Sequence, residues 1–151
     1  VGSILRTADG LGISIVYLTG YTPYPKAVND ERLPHIAEKI SRQINKTALG
    51  AAETQAWRHS PDALQTIRRL QQSGVTAVAL EQTPSAVSLL AYTAPKKVVL
   101  IVGREVEGLE PSVLAACDQA IEIPMVGKKE SFNVSIAAAI AMYHCTYWPL
   151  G

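Results

Sequence analysis

Five consecutive apolar residues, Val98-Val99-Leu100-Ile101-Val102, stand between Lys96-Lys97 and Gly103, and no other stretch constrains the fold as strongly. A run this short and this continuous, rich in β-branched side chains, fits a strand covered on both faces, the position of a central strand in a parallel sheet. Less continuous apolar runs bounded by Gly, Pro or polar residues give further candidate strands at Ile13 to Leu18, Thr54 to Trp57, Val75 to Leu80 and Ala120 to Ile123. Helical patterns lie between several of them. The clearest runs from Ser60 to Ser73, with Ser60 as cap, Pro61 at the first helical position and Gly74 as the stop; Leu64, Ile67 and Leu70 share its apolar face. Alternating strands and helices predict an α/β domain with a mainly parallel sheet and helices on both faces. The stretch from Tyr21 to Lys46, with three prolines, reads as a long surface connection carrying one short helix. No internal repeat, linker or low-complexity segment divides the 151 residues, which fit one domain.

Several function classes fall away on composition. With 48% apolar and 18% charged residues the chain is an ordinary globular sequence. It holds no apolar run of the ~20 residues needed to span a bilayer and no signal-peptide layout, so a cytoplasmic, membrane-free protein is expected. Cys117 and Cys145 fall in different expected elements and match no zinc spacing, which predicts reduced core residues and no metal. The net charge of +1 does not by itself announce a nucleic-acid partner, so an RNA surface must come from local clustering. Such a cluster lies in the irregular stretch, where Lys26, Arg32, Lys39, Arg42 and Lys46 outnumber Asp30, Glu31 and Glu38; Lys39, Arg42 and Lys46 are the candidate RNA contacts.

Ligands of open parallel sheets bind at the carboxyl ends of strands. After Val102 the chain reads Gly103-Arg104-Glu105-Val106-Glu107-Gly108-Leu109, whose glycines allow backbone to approach a ligand closely. It lacks the Gly-x-Gly-x-x-Gly of dinucleotide folds, which disfavours a nicotinamide oxidoreductase. After Ile123 come Pro124-Met125-Val126-Gly127, then Lys128-Lys129-Glu130, then Ser131-Phe132-Asn133-Val134-Ser135 opening a helix that is apolar almost all round to Tyr143. Ser131 is the expected N-cap. An all-round apolar helix with small residues predicts a subunit interface, hence a homodimer through the C-terminal helix. The opening segment, Val1-Gly2-Ser3-Ile4-Leu5-Arg6-Thr7-Ala8-Asp9, reads as an amphipathic first helix.

These three segments, in this order, resemble the three signature motifs of the SpoU (TrmH) branch of the SPOUT superfamily of RNA methyltransferases: Asn-x-Gly-x-Ile-x-Arg-Thr, Gly-x-Glu-x-x-Gly-Leu, and Ile-Pro-Met-x-Gly-x-x-x-Ser-Leu-Asn-Val-Ser. The resemblance covers essentially the whole chain, and Lys46-Thr47-Ala48-Leu49-Gly50-Ala51 extends it. Two positions depart. The motif's leading Asn and the family's first strand would precede Val1, so a missing N-terminal strand is expected, and Phe132 stands where Leu is usual.

The resemblance implies a deep C-terminal trefoil knot, a homodimer, S-adenosylmethionine as cofactor and the 2′-hydroxyl of a ribose in transfer or ribosomal RNA as substrate. By motif position Gly103, Ile123 and Phe132 would contact the cofactor, with Gly108, Met125 and Gln82 beside them. Arg6 would be catalytic, with Glu105, Ser131 and Asn133 as further polar active-site residues. Methyl transfer from a sulfonium needs neither a metal nor a covalent nucleophile, so positioning and proton removal are the protein's tasks. Guanidinium groups keep their proton at physiological pH, so an arginine suits phosphate binding and alkoxide stabilisation better than proton removal. His35, His59 and His144 lie outside all three motifs. The competing reading is a non-catalytic knotted subunit that binds RNA or a partner.

Overall fold

The structure is a computed structural model and is described over residues 1–148. Its contacts divide into two compact units, Val1–Asp62 and Ala63–Gly151.

The first unit comprises α1 (Gly2–Gly10), β1 (Val16–Thr19), α2 (Pro34–Ala48), α3 (Ala51–Thr54) and β2 (Trp57–Ser60). The two strands are parallel, Val16 opposite Trp57 and Thr19 opposite Ser60. Helix α1 buries Gly2, Leu5 and Ala8, spaced by three, while α2 buries Ala37, Ile44 and Ala48. Leu5, Ile44, Ala48, Ala51 and Ala52 form the core. Gly2 is there for a steric reason: a Cβ on it would strike the Ile44 carbonyl, the Thr47 hydroxyl and the Ala48 amide, so only glycine lets the two helices cross this closely.

Sequence expectation fails here in three places. The strand expected at Thr54 to Trp57 lies three residues later, because the helix formers Ala51, Ala52 and Glu53 complete a short helix first. The connection with one short helix contains instead a 15-residue helix, α2. Its proline, taken as loop punctuation, occupies the first helical position, where its missing N–H costs nothing. The strand expected from Ile13 begins only at Val16.

The second unit comprises α4 (Ala63–Gln72), β3 (Thr76–Leu80), β4 (Val87–Ser88), a 3₁₀ turn at Leu89–Ala91, β5 (Val98–Val102), α5 (Pro111–Ala116), β6 (Gln119–Glu122) and α6 (Val134–Tyr147). Four strands form a parallel sheet in the order β4-β6-β3-β5. Alternate side chains serve opposite faces. Val78, Val98 and Leu100 pack with Ile121, Leu89, Tyr92 and Ile140 of α6; Ala77, Val99 and Ile101 pack with Ile67 of α4 and Val113 of α5. Helices thus cover both faces, as the apolar runs predict. Strand β5 keeps the bounds read from sequence, yet it stands at the end of the sheet and all five residues are partly exposed, so it is not the central strand. That position belongs to β3, whose Ala77, Val78 and Ala79 are buried completely.

Helix α4 is shorter than expected because Ser60 ends β2 instead of capping, which leaves Pro61 ahead of the helix; it ends at Gln72, one residue before the expected Ser73, with Gly74 at φ +80°. The strand expected at Ala120 to Ile123 is shifted by one residue. Helix α6 reaches Tyr147, and its cap is Asn133, not Ser131: the Asn133 carboxamide oxygen accepts from the Ser135 amide at 2.9 Å. Ile136, Tyr143 and Tyr147, with Trp148 beyond the helix end, stay more than half exposed. Among the described residues no helix is long and apolar enough to cross a membrane.

Candidate active site

The carboxyl ends of β3, β5 and β6 open into one cleft of about 330 Å³, lined by Leu80, Val102 and Glu122 at the strand ends and closed by the three loops that follow. This is where an open parallel sheet binds its ligands.

The loop after β5 forms one wall. Arg104 and Gly108 exchange backbone hydrogen bonds at 3.0 Å each, pinching residues 104–108 into a tight hairpin. A Cβ on Gly103 would collide with the Gly108 carbonyl and the Leu109 amide. Gly108 adopts φ +68°, and a Cβ there would lie 2.5 Å from the Glu81 carboxylate. That carboxylate explains the turn: Glu81 Oε2 accepts the Leu109 N–H at 2.9 Å and Oε1 the Gln82 N–H at 3.2 Å. Glu81 therefore holds the hairpin from the end of β3, and both glycines are needed for it to come so close.

The loop from β6 to α6 forms the opposite wall through Ile123, Met125, Ser131 and Phe132, continued by Val134 and Ala137 of α6. Two side chains brace it. Gln82 Nε2 donates to the Glu130 carbonyl at 2.7 Å, and Asn133 Nδ2 donates to Glu105 Oε1 at 2.8 Å. Asn133 thereby caps α6 and holds the hairpin to the helix start.

Of the residues chosen from sequence, Gln82, Gly103, Glu105, Gly108, Ile123, Met125, Ser131 and Phe132 all line this cleft, and Asn133 is bonded to it through Glu105. Arg6 is exposed on α1 of the first unit. Lys39, Arg42 and Lys46 are exposed along one side of α2, spaced by three and four. The two other cations of that stretch have partners: Lys26 meets Glu38 at 3.3 Å and Arg32 meets Asp30 at 2.5 Å. Sequence reading missed Glu81, for which a lone carboxylate 28 residues before its partner offers no periodicity or spacing.

The walls combine apolar faces with charge of one sign: Glu81, Glu105, Glu107 and Glu122 line the cleft against the single guanidinium of Arg104. Such a site favours a ligand with an apolar portion and a positive centre. The cysteines lie elsewhere, and burial pushes both thiols up to about 11. Nor do the histidines line the cleft. His144 bonds the Tyr92 carbonyl at 2.6 Å and stacks on Trp148, and His59 stacks on Tyr24. Among the described residues no group of three or more His, Cys, Asp or Glu side chains is arranged to hold a metal ion.

Fold and cleft define an α/β protein with an open cleft at the carboxyl edge of a parallel sheet. Residues 1–143 match the model of the SpoU rRNA Methylase family, and the chain belongs to that family. It is 29% identical over 143 residues to a 23S rRNA (guanosine-2′-O-)-methyltransferase, RlmB, of Bordetella pertussis, a match covering 95% of this chain and 52% of the relative. It is 33% identical over 140 residues to a tRNA (guanosine(18)-2′-O)-methyltransferase of Borreliella burgdorferi, covering 92% and 56%. The chain thus spans about half the length of the curated relatives it matches. In fold it is similar to the SpoU methyltransferase AviRb of Streptomyces viridochromogenes, solved in complex with the cofactor AdoMet, with a TM-score of 0.77, 19% identity, and coverage of 97% of this chain and 51% of that one.

Proposed function

We propose that this protein methylates a ribose 2′-hydroxyl of transfer or ribosomal RNA with S-adenosylmethionine, as a cytoplasmic homodimer whose C-terminal segment forms the family's trefoil knot. One observation carries the reading: the motif residues between Gln82 and Phe132, scattered over 50 positions, line a single cleft whose charge suits the cofactor. Carboxylates around apolar walls complement a sulfonium and an ammonium beside an adenine ring. Gly103 and Gly108 let the hairpin close against Glu81 and so set this wall of the cleft, and Ile123, Met125 and Phe132 offer the ring apolar contact. When bound, the cofactor supplies an electrophilic methyl group on sulfur.

The chain's own residues then orient and stabilise. Asn133 fixes Glu105, leaving that carboxylate's other oxygen to orient a donor of the substrate or a guanidinium. Ser131, exposed at the cleft, holds the ribose. Arg6 binds the neighbouring phosphate and stabilises the developing alkoxide, a contribution of roughly 3 kcal/mol for one well-placed donor. Lys39, Arg42 and Lys46 bind phosphates further along the RNA. The exposed apolar side of α6, with Ile136, Tyr143 and Tyr147, is the face a second copy covers.

Calorimetric titration with S-adenosylmethionine, followed by mapping of 2′-O-methyl groups on bulk RNA, tests the reading. Arg6→Ala is expected to retain cofactor affinity and lose at least about a hundredfold in single-turnover methylation. Absence of cofactor binding by the wild-type protein refutes the reading, and sedimentation as a monomer at micromolar concentration refutes the homodimer.

A further inference from the structure

If the cleft takes S-adenosylmethionine and RNA, the charge that suits one opposes the other. A polyanion has to bring a hydroxyl to walls carrying four carboxylates and one guanidinium, and like charges in a partly dehydrated cleft repel more strongly than in bulk water. Compensating charge must therefore stand at the mouth.

The loop from β6 to α6 supplies it. Both stems of this loop line the cleft, through Met125 before the tip and Ser131 and Phe132 after it. The tip carries Lys128 and Lys129, both exposed, with Glu130 as its one carboxylate. It is also held in place: the Glu130 carbonyl accepts the Gln82 carboxamide at 2.7 Å, and three residues on Asn133 is bonded to Glu105 at 2.8 Å. The lysines thus ride on a loop braced to both other walls of the site, and its tip adds two positive charges and one negative beside a cleft lined by carboxylates.

We infer that Lys128 and Lys129 bind a phosphate of the RNA strand at the rim, drawing the ribose toward an otherwise repulsive cleft. The inference rests on the methyltransferase reading, yet its deciding test, RNA binding, does not depend on turnover. The same unit contains a second exposed pair, Lys96-Lys97, immediately before β5. It precedes the amino end of the strand whose carboxyl end forms the cleft, five residues or roughly 16 Å away, beyond the ~8 Å screening length at physiological salt. The two pairs differ in place and not in charge, so one controls for the other.

The experiment compares K128A/K129A with K96A/K97A in the full-length protein, using filter binding of total transfer RNA and ribosomal RNA between roughly 50 and 200 mM salt, where each lost phosphate contact removes about a threefold change in affinity. The K128A/K129A variant is expected to bind RNA more weakly at the lower salt, and its affinity should fall about threefold less across the range, with S-adenosylmethionine affinity unchanged. K96A/K97A should match the wild type. K128E/K129E should raise the KM for RNA further while sparing kcat at saturating RNA. Equal effects of the two alanine pairs, or an unchanged salt dependence in K128A/K129A, overturn the proposal. Failure of the wild-type protein to bind cofactor would instead overturn the methyltransferase reading, leaving the RNA-binding comparison still readable.

Discussion

Two loops leave the carboxyl ends of parallel strands in this protein, and they differ in where their side-chain braces come from. Residues 20–33, after β1, are braced mainly from within, although Lys26 also meets Ser41 and Glu38 of α2 and Tyr24 stacks on His59 of β2. The Asp30 carboxylate accepts the Ala27 and Arg32 amides and the Arg32 guanidinium, while that guanidinium lies 3.6 Å from the Tyr24 ring centroid and donates to the Tyr24 and Pro25 carbonyls. Residues 103–109, after β5, are braced from outside, by Glu81 at the end of β3 and Asn133 at the start of α6. A loop that satisfies its own polar groups fills its own interior. One held by its neighbours keeps its inner surface for a ligand.

The contrast is broken most severely at Gly103. Gly103→Ala places a methyl group on the Gly108 backbone, an overpacking that typically costs about 1–3 kcal/mol. S-adenosylmethionine binding should weaken by at least about tenfold by calorimetry, while Gly127→Ala, which meets nothing within 4 Å, leaves it unchanged. Next comes Glu81→Ala, which strips the Leu109 N–H of its acceptor at a cost of about 1 kcal/mol; Glu81→Gln, keeping one acceptor oxygen, should recover part of the lost affinity.

Arg32→Ala sharpens the comparison from the other side. It should speed proteolysis within residues 20–33 and leave cofactor affinity untouched, because Arg32 braces that loop and does not line the cleft. Its response to acid follows from the same pair. The Arg32 guanidinium holds the Asp30 carboxyl well below the usual carboxylate range. With the folded value depressed, the stabilisation is fully present above the ordinary carboxylate value near 4 and is lost only as pH falls through the lower folded value. Protection of the loop amides from hydrogen exchange should persist at pH 4 in the wild type and be lost in Asp30→Asn. The smallest effect concerns the cysteines: with both thiols pushed up to about 11, alkylation of the native protein at pH 7.5 should be slow, and unfolding should accelerate it.

What sequence could reveal follows the same division. Periodicity locates elements that are apolar throughout, and β5 was legible to the residue because lysines and a glycine bound it. Its place at the end of the sheet was not, since a run covered on both faces looks alike in the middle and at the edge. Helix α2 carried a readable 3.6 period in Ala37, Ile40, Ile44 and Ala48, but Pro34 concealed its start. Ser131 and Asn133 both qualify as caps by residue type, and only backbone geometry separates them. The cleft was legible through its glycines and motif spacing, whereas Glu81 acts across 28 residues of intervening chain.

The strand order β4-β6-β3-β5 also bears on how the chain is made. Strand β6 is the last of the four to emerge, yet it occupies an interior position, pairing with β3 on one side and β4 on the other. Between the completion of β3 at Leu80 and that of β6 at Glu122, a ribosome adding about 5–20 residues per second spends roughly 2–8 s with one edge of β3 bare. Unpaired strand edges invite association between chains. The nascent protein is thus most prone to aggregate within that interval, and the vulnerability ends when residues 119–122 slot between strands already made.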